Sequence, residues 1–563
     1  MIAVFDNGKA WLLVLVFVLS IPLAAAPKEI PTLQHDEPVG VQPVSQGKGH
    51  AHCSGGVANG YACTGINMLA QLELSELGGG SGADSWGWKD PNTGKYYALM
   101  GRSTGTSFVD ITDPTAPVYL GNLPSTRISA PWRDVKTYAN HAFVVADGIA
   151  QHGMQVFDLT RLRGVTGVQQ FSADVIYNGI SFAHNVAINE DSGFAYIIGG
   201  DQCAGGLHMV NIQNPKQPLF AGCFSGDGYS HDVQCVNYSG PDQNYSGREI
   251  CVASNEDSLT IVDVTNKSAP VQISRVTYPD TGYTHQGWFT EDQRFFIAGD
   301  ELDEIQFGSN ARTLVFDLQN LAQAHYTGQY IASTSVIDHN LYVKGNHVYQ
   351  ANYLGGVRIL EIQDASQAEL REVAYFDTFP DQDSRNFQGA WNVYPFFDNG
   401  VLITSDINKG LFLLQADFNS ELVGNPMNGT MSGQWVADNM PDQGMTLLVG
   451  QNNSGPFAFY AWYTYRNGEP FWIVGNAAIP DEGNGLVMPA IRLEGLGFFD
   501  ISGSRASRIE IGTVEIRVTD CNEIQVIFEL GAFGSGDILM QRLVGIEQYA
   551  CIENTASAHH HGD

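Results

Sequence analysis

Basic residues are scarce in this chain, and several common functional motifs are missing from it. Lys and Arg total 28 against 60 Asp and Glu, so the formal net charge is −32 at pH 7. A surface of this charge repels nucleic acid and anionic lipid headgroups, so neither is expected as a partner. The sequence has no P-loop and no C-x-x-C pair, so no nucleotide-binding loop and no cysteine-based zinc site is predicted.

Glycine and aromatic residues, in contrast, are abundant. Charged residues make up only 16% of the 563 residues, whereas there are 62 glycines and 11% aromatics. This mixture is typical of short strands joined by tight turns. The composition therefore favours an all-β protein, and the length allows two or more domains.

The first 26 residues have the layout of a secretory signal peptide. Lys9 precedes an apolar run from Trp11 to Leu23, and three alanines follow at 24–26. This order matches the charged, apolar and cleavage regions of such peptides. An uncleaved anchor is the alternative. No later apolar run is long enough to span a bilayer, so the mature chain is expected to lack an integral membrane segment and to be secreted, periplasmic or on a bacterial cell surface.

The eight cysteines pair off locally along the chain. An even number of cysteines in an exported protein favours disulfides over thiolate chemistry, although spacing alone leaves other connectivities open. The expected pairs are Cys53–Cys63, Cys203–Cys223, Cys235–Cys251 and Cys521–Cys551.

One phrase recurs about every fifty residues: an apolar strand that ends in an acid or amide and then turns. Examples are "TSFVDITDP" at 106–114 and "LTIVDVTNK" at 259–267. Another strand recurs upstream of each copy, and its aligned positions are 47 to 54 residues apart. These positions are Ser85, Arg133, His184, His231, His285, His339 and Trp391. Seven such units predict a seven-bladed β-propeller, because each unit must bury its faces against its neighbours.

Both ends of the chain bear on this architecture. The seventh unit has no fourth strand after Phe418, and the unassigned strand 66–74 precedes the first unit, so pairing the two would close the ring. About eight short alternating strands follow, which predicts an antiparallel barrel or sandwich. The predicted organisation is a signal peptide at 1–26, an N-terminal segment at 27–65, the propeller at 66–418, a linker at 419–433, a β-domain at 434–556 and a His-containing tail at 557–563.

Long words within residues 50–418 resemble known proteins. Phrases such as "VDVTN" resemble LVIVD repeats. In order, "WGWKDPNTGKYYALMG", "GYSHDVQCVNYSGPD", "YTHQGWFTEDQ" and "DHNLYV" resemble the choice-of-anchor B family of exported bacterial proteins. The resemblance implies a secreted, propeller-like domain followed by a surface anchor. It implies no reaction and no catalytic residues, and this chain has a further β-domain where the anchor is expected.

Four consecutive units carry histidine at the aligned position. The first strand of a propeller blade begins beside the central channel, and the second strand returns to the same face. Acids and amides that end second strands are therefore expected to meet these histidines at one mouth of the channel. The candidate metal ligands are His184, His231, His285, His339 and Glu301. The other candidate pocket residues are Arg133, Asp201, Asp232, Glu256, Asp300, Asn352 and Trp391.

Three interpretations of the histidines stay open. Neutral imidazoles beside carboxylates suit a divalent transition metal of unidentified element, as in a metal-dependent hydrolase or oxidase. Calcium is a second candidate at "GDELDE", which lacks EF-hand spacing. Alternatively, each histidine braces its blade by a hydrogen bond. The third interpretation is a metal-free pocket in a binding protein for a small molecule, glycan or protein. Ser85, Arg133 and Trp391 break a brace that should recur in every blade, and this asymmetry favours a site.

The aromatic residues of the C-terminal domain allow two interpretations. Either they pack its core, or they form a platform for a sugar or peptide. The residues concerned are Trp435, Trp462, Tyr463 and Trp472.

Overall fold

The computed structural model describes the propeller region almost completely and the C-terminal region in part. The described residues are 49–54, 56–127, 129–380, 382, 384–417, 427, 429–437, 443–452, 455–466, 468–480, 485–494, 507–518 and 523–545. The predicted signal peptide, most of the linker, the Cys521–Cys551 pair and the His-containing tail lie outside them.

Seven sheets of mainly antiparallel strands form a ring of blades, which confirms the predicted all-β propeller. Three strands precede the blades: β1 (Val57–Ala58), β2 (Tyr61–Thr64) and β3 (Ile66–Leu72). Blade one contains β4 (Gly82–Lys89), β5 (Tyr96–Arg102), β6 (Gly105–Asp110) and β7 (Val118–Pro124). Blade two contains β8 (Trp132–Tyr138), β9 (His141–Asp147), β10 (Met154–Asp158) and β12 (Val175–Tyr177), while β11 (Gln169–Gln170) joins blade one in parallel to β7.

The middle blades each have four strands. Blade three contains β13 (Asn185–Asn189), β14 (Phe194–Ile198), β15 (Leu207–Asn211) and β16 (Leu219–Phe224). Blade four contains β17 (Asp232–Asn237), β18 (Glu249–Ser254), β19 (Leu259–Asp263) and β20 (Val271–Val276). Blade five contains β21 (Thr284–Phe289), β22 (Phe295–Asp300), β23 (Arg312–Asp317) and β24 (His325–Ile331), with helix α1 (Asp303–Phe307) between β22 and β23.

The last two blades incorporate the strands that precede the ring. Blade six contains β25 (Asn340–Lys344), β26 (His347–Ala351), β27 (Val357–Asp364) and β28 (Glu369–Phe376), and β2 and β1 extend it beyond β28. Blade seven contains β29 (Ala390–Tyr394), β30 (Val401–Asp406) and β31 (Gly410–Ala416). Strand β3 pairs with β31, Ile66 lying opposite Ala416, and this confirms that an N-terminal strand closes the ring.

The core of the propeller lies between neighbouring blades. Inner strands such as β18 and β22 are buried along their whole length, whereas the outermost strand β20 is largely exposed. One apolar cluster joins Ile250 and Val252 of blade four to Phe296 and Leu314 of blade five. Inner strands have a blade on each face, and this explains their continuous apolar sequences.

The acid that ends the recurring phrase has a structural role. Oδ1 of Asp110 accepts the backbone N–H of Thr112 at 3.0 Å, and Oδ1 of Asp263 accepts that of Thr265 at 3.0 Å. A side chain that accepts the N–H two residues later forms an Asx turn, which redirects the chain after the third strand. These repeated acids therefore stabilise turns and do not belong to the channel.

A closed eight-stranded barrel follows the propeller, so the C-terminal domain is a barrel and not a sandwich. Its strands are β32 (Gly433–Val436), β33 (Gly444–Asn452), β34 (Gly455–Arg466), β35 (Glu469–Ala478), β36 (Gly485–Glu494), β37 (Ser507–Val518), β38 (Glu523–Glu529) and β39 (Ser535–Gly545). Trp435 and Trp462 are buried in its core, whereas Trp472 is 60% exposed beside Tyr463. Short 3-10 turns lie at Leu159–Leu162, Cys203–Gly205, Leu321–Gln323, Ala365–Gln367, Gly429–Met431 and Gly531–Phe533.

Three of the predicted disulfides are formed: Cys53–Cys63, Cys203–Cys223 and Cys235–Cys251. The last of these joins directly paired residues of β17 and β18. Within the described ranges, every helix is too short or too polar to cross a membrane.

Candidate metal centre

Four histidine rings lie side by side at one mouth of the propeller channel. Neighbouring ring centroids are 4.4 Å apart for His184 and His231, 4.1 Å for His231 and His285, and 4.5 Å for His285 and His339. All four side chains are buried. They line a pocket of about 300 Å³ of empty volume, part of which is open to solvent. The other lining residues are Trp132, Glu301, Tyr353, Phe387 and Trp391.

Backbone carbonyls of the next blade determine the tautomer of two rings. Nδ1 of His231 is 3.0 Å from the carbonyl oxygen of His285, and Nδ1 of His339 is 2.6 Å from that of Trp391. A carbonyl oxygen can only accept, so Nδ1 carries the hydrogen, and Nε2 of the neutral ring keeps its lone pair. Nδ1 of His285 makes no well-formed hydrogen bond with a described residue. His231 and His339 therefore each keep Nε2 as an acceptor or metal-ligand atom.

Glu301 lies between two of these rings, directly after strand β22. One of its carboxylate oxygens is 3.6 Å from Nε2 of His285, and the other is 3.9 Å from Nε2 of His339. The hydroxyl of Tyr353 donates a 2.6 Å hydrogen bond to Oε1 of Glu301. One ligand atom from each of His285, Glu301 and His339 lies within 4.8 Å of the others. Two imidazoles and one carboxylate are a donor set that zinc and non-haem iron use in catalytic sites.

Burial favours the neutral form of His231, His285 and His339. It lowers the pKa of His339 to about 3, and it lowers those of His231 and His285 well below the ordinary value, with neighbouring imidazoles adding to the effect. Neutral imidazole is the form that binds a metal. Burial also raises the pKa of Glu301 to about 7, although the hydrogen bond from Tyr353 opposes this. A cation at this position would favour the carboxylate form of Glu301.

His184 is held by a carboxylate instead of a carbonyl. Its Nδ1 is 3.1 Å from Oδ2 of Asp147, which ends strand β9 of the preceding blade. Burial lowers the pKa of His184, but the hydrogen bond and charge of Asp147 outweigh it, so the pKa is raised overall. His184 is thus the histidine of this row whose Nδ1 contacts a carboxylate.

Aromatic rings surround the row. The ring centroids of His339 lie 4.7 Å from Trp391 and 4.5 Å from Tyr353, and Trp132 lies 6.3 Å from His184. Such rings exclude water and offer flat apolar surfaces to a ligand. The mouth combines polar ligand atoms with an aromatic wall, as small-molecule sites do.

Arg133 does not line this pocket. Its Nε donates to the carbonyl oxygen of Arg102 at 2.9 Å, and its Nη1 lies 2.9 Å from Nε2 of His152. Strand β8 is already regular at Trp132, where this residue pairs with Asp147. Side chains alternate along a strand, so Trp132 faces the mouth and Arg133 is buried against blade one.

The other predicted pocket residues also lie outside the lining, apart from Trp391. Asp201 is exposed and accepts a hydrogen bond from a loop N–H of its own blade. Asp300 is fully buried and accepts hydrogen bonds from residues 278–283. Glu256 bonds through its backbone to the start of β21, and Asn352 is buried beside Tyr353. These groups support loops around the mouth.

A second pocket, of about 440 Å³, lies further along the first strands and includes Asp232. Its charged core is Lys136, whose Nζ is 2.5 Å from Oδ1 of Asp134 and 3.0 Å from Oδ2 of Asp84. Burial raises the pKa of Asp84. Burial acts in the same direction on Asp134, but the charge of Lys136 and hydrogen bonds with Asp84 and Lys136 outweigh it, so the pKa of Asp134 is lowered. Burial also raises the pKa of Asp232 to about 7.

Sequence reasoning missed Trp132, Tyr353 and Phe387 as parts of the site, whereas Asp147 was expected among the acids that end second strands near the mouth. Trp132 precedes the predicted Arg133, and Tyr353 follows the predicted Asn352. The strand register is needed to tell which residue of each pair faces the mouth. Phe387 lies in the loop before β29, where no repeated phrase marks it.

One comparison with known proteins agrees with the predicted repeat. The LVIVD repeat model matches residues 245–278, which contain β18 to β20 of blade four. Among the curated proteins, none matches the chain. Solved structures similar to it include a functionally unknown protein from Desulfotomaculum acetoxidans DSM 771 (11% identity, TM-score 0.35, 52% of this chain and 88% of that one). Others are the periplasmic gluconolactonase PpgL of Pseudomonas aeruginosa (11%, 0.35, 52% and 87%) and a Lactobacillus plantarum protein (12%, 0.38, 68% and 94%). Similarity at this level assigns no function.

Proposed function

We propose that His285, Glu301 and His339 bind a divalent transition metal at the mouth of the propeller, and that the protein is an exported metal-dependent enzyme, a hydrolase or an oxidase. The observation that carries the proposal is the convergence of three ligand atoms within 4.8 Å in a buried pocket. The donation of Nδ1 of His339 to a carbonyl supports it, because the outward nitrogen of a metal-binding histidine is commonly held in this way.

The neighbouring residues suit such a centre. Three protein ligands leave coordination positions open for water or substrate. His231, with its ring 4.1 Å from that of His285, is close enough to serve as a fourth ligand or a proton acceptor. The metal, when bound, would supply Lewis-acid or redox chemistry. Trp132, Phe387 and Trp391 would hold a flat or apolar part of the substrate against the open side.

Export is supported by cysteine usage. Three disulfides join cysteines in the described part of the chain, and disulfides persist in oxidising compartments. The layout of residues 1–26 and the resemblance to choice-of-anchor B proteins point the same way. We therefore place the mature protein in the periplasm or outside the cell.

Elemental mass spectrometry of the purified mature chain, with the terminal His residues removed, tests the metal. We expect about one equivalent of transition metal per chain, because one group combines histidine and carboxylate ligands. The double variant His285→Ala/His339→Ala should lose it, and the control His325→Ala, at an exposed histidine of β24, should keep it. A folded wild-type protein that neither contains nor takes up zinc, iron, manganese or copper would overturn the proposal and favour a metal-free binding pocket.

A further inference from the structure

A second group of carboxylates is close in sequence to the proposed ligands of the histidine mouth. Asp303 and Glu304 begin helix α1 of blade five, and Asp338 precedes the first strand of blade six. The exposures of the three side chains are 0%, 0% and 1%. One carboxylate oxygen from each lies within 4.8 Å of the others. Oxygen atoms alone make up this group, so it differs chemically from the histidine group.

The polypeptide builds this group from two blades. The backbone N–H of Asp338 donates to Oε1 of Glu304 at 3.3 Å, which ties blade six to the helix of blade five. Gly299 of strand β22 provides the space, because a Cβ there would lie 2.2 Å from Oδ2 of Asp338. The next residue, His339, belongs to the mouth, so adjacent residues contribute to the two groups.

Three of the six carboxylate oxygens in this group lack a hydrogen-bond donor among the described residues. Oε2 of Glu304 and both Oδ atoms of Asp338 are buried, and no N–H or hydroxyl group of a described residue donates a hydrogen bond to them. The nearest cation is Arg312, which is engaged by Asp303 and by Asp300. Arg312 also donates to the carbonyl of Asp280 at 2.8 Å. One guanidinium therefore faces a surplus of buried carboxylates.

A buried carboxylate without a partner is costly, and proteins relieve the cost by a proton or by a bound cation. Hard cations with flexible coordination prefer carboxylate oxygens from several side chains. We infer that Asp303, Glu304 and Asp338 bind a calcium ion that joins blades five and six. The ion would neutralise the surplus charge and hold the loop that carries Glu301.

Calcium titration of the chelator-treated full chain, by calorimetry and by thermal unfolding, tests this inference. We expect saturable binding of one calcium ion and a rise in melting temperature. Asp338→Asn and Glu304→Gln should each weaken calcium binding at least tenfold and remove the rise. Glu369→Gln, at an exposed residue of β28, is the matched control and should behave as wild type.

Further results show whether calcium binds at this carboxylate group, at the proposed transition-metal centre or at surface acids. His285→Ala/His339→Ala should keep the calcium response, which separates this site from the proposed transition-metal centre. If magnesium alone gives the saturable response, or if calcium binds only weakly at many acidic surface sites and the two variants change nothing, the inference is wrong. A wild-type protein without calcium response whose Glu304→Gln variant is equally or more stable would show that a shared proton satisfies the group. If Asp338→Asn does not fold, Glu304→Gln and the wild-type titration still decide.

Discussion

The channel contains two buried polar groups that differ in how their charges are compensated. The Lys136 group has its own cation, within 3.0 Å of carboxylates on both sides. The histidine mouth has ligand nitrogens and Glu301, and neither Lys nor Arg is among the described residues that line it. One group is satisfied by the protein, and the other is not.

This difference distinguishes a polar group that stabilises the fold from one that is a candidate binding site. A buried ion pair with hydrogen bonds needs nothing from solution, and its role is to hold strands together. Buried ligand atoms that find no protein cation are costly unless something binds them. Blades one and two contribute the compensated group, and blades five and six contribute the proposed metal ligands.

The largest expected effect is on stability at the compensated group. Lys136→Met should lower the free energy of unfolding by about 3–5 kcal/mol, because it leaves the Asp134 carboxylate buried without its cation. Urea unfolding followed by fluorescence measures this. The control Lys95→Met removes a more exposed pair with Asp110 and should cost about 1 kcal/mol or less. Equal losses of unfolding free energy in the two variants would show that the buried ion pair contributes no more than the exposed one.

At the histidine mouth, we expect a large effect on metal binding and a small effect on stability. Glu301→Gln should weaken zinc or iron binding by at least about 100-fold, since loss of a ligand costs more than loss of a supporting partner. The stability of the metal-free protein should change by only about 1 kcal/mol, because the amide keeps the shape and hydrogen-bonding capacity of the site. Competition with a chromophoric chelator measures the affinity. A large loss of metal-free stability with unchanged metal binding would make Glu301 structural.

The smallest expected effect concerns the hydrogen bond that supports Glu301. Tyr353→Phe removes the hydroxyl that donates to Glu301 and keeps the ring against His339. Metal affinity should fall about tenfold, as for other partners that orient a ligand. The same competition assay measures it, and unchanged affinity would mean that the hydrogen bond does not position Glu301.

Much of the fold could be predicted because it is written in local patterns. The acid of the recurring phrase forms the same Asx turn in successive blades, as at Asp110 and Asp263. Continuous apolar strands such as β18 follow from burial on both faces. The strand predicted at 66–74 belonged to no unit, and the seventh unit lacked a fourth strand. Strand β3 takes that position beside β31. Local turns and strand burial repeat with the chain, so periodicity alone determines the blades.

The candidate site was predictable only in part. The histidine positions and Glu301 follow from alignment of the repeats, and all five line the mouth. Arg133 and Asp201 were selected by the same alignment and lie elsewhere. One residue of register reverses the face of a strand side chain, and loop acids can turn to solvent, so a repeat alignment cannot separate these cases.

By itself, the sequence determined the number of blades and the strand that closes the ring, and it predicted the local cysteine pairs and the aligned histidines. Only the tertiary structure decided that Glu301 also approaches His339 of the next blade, and that Asp338 meets Glu304 across two blades. The reason is physical. Contacts within a blade depend on neighbouring strands, which the repeat encodes, whereas contacts between blades depend on the curvature of the closed ring and on exact side-chain direction.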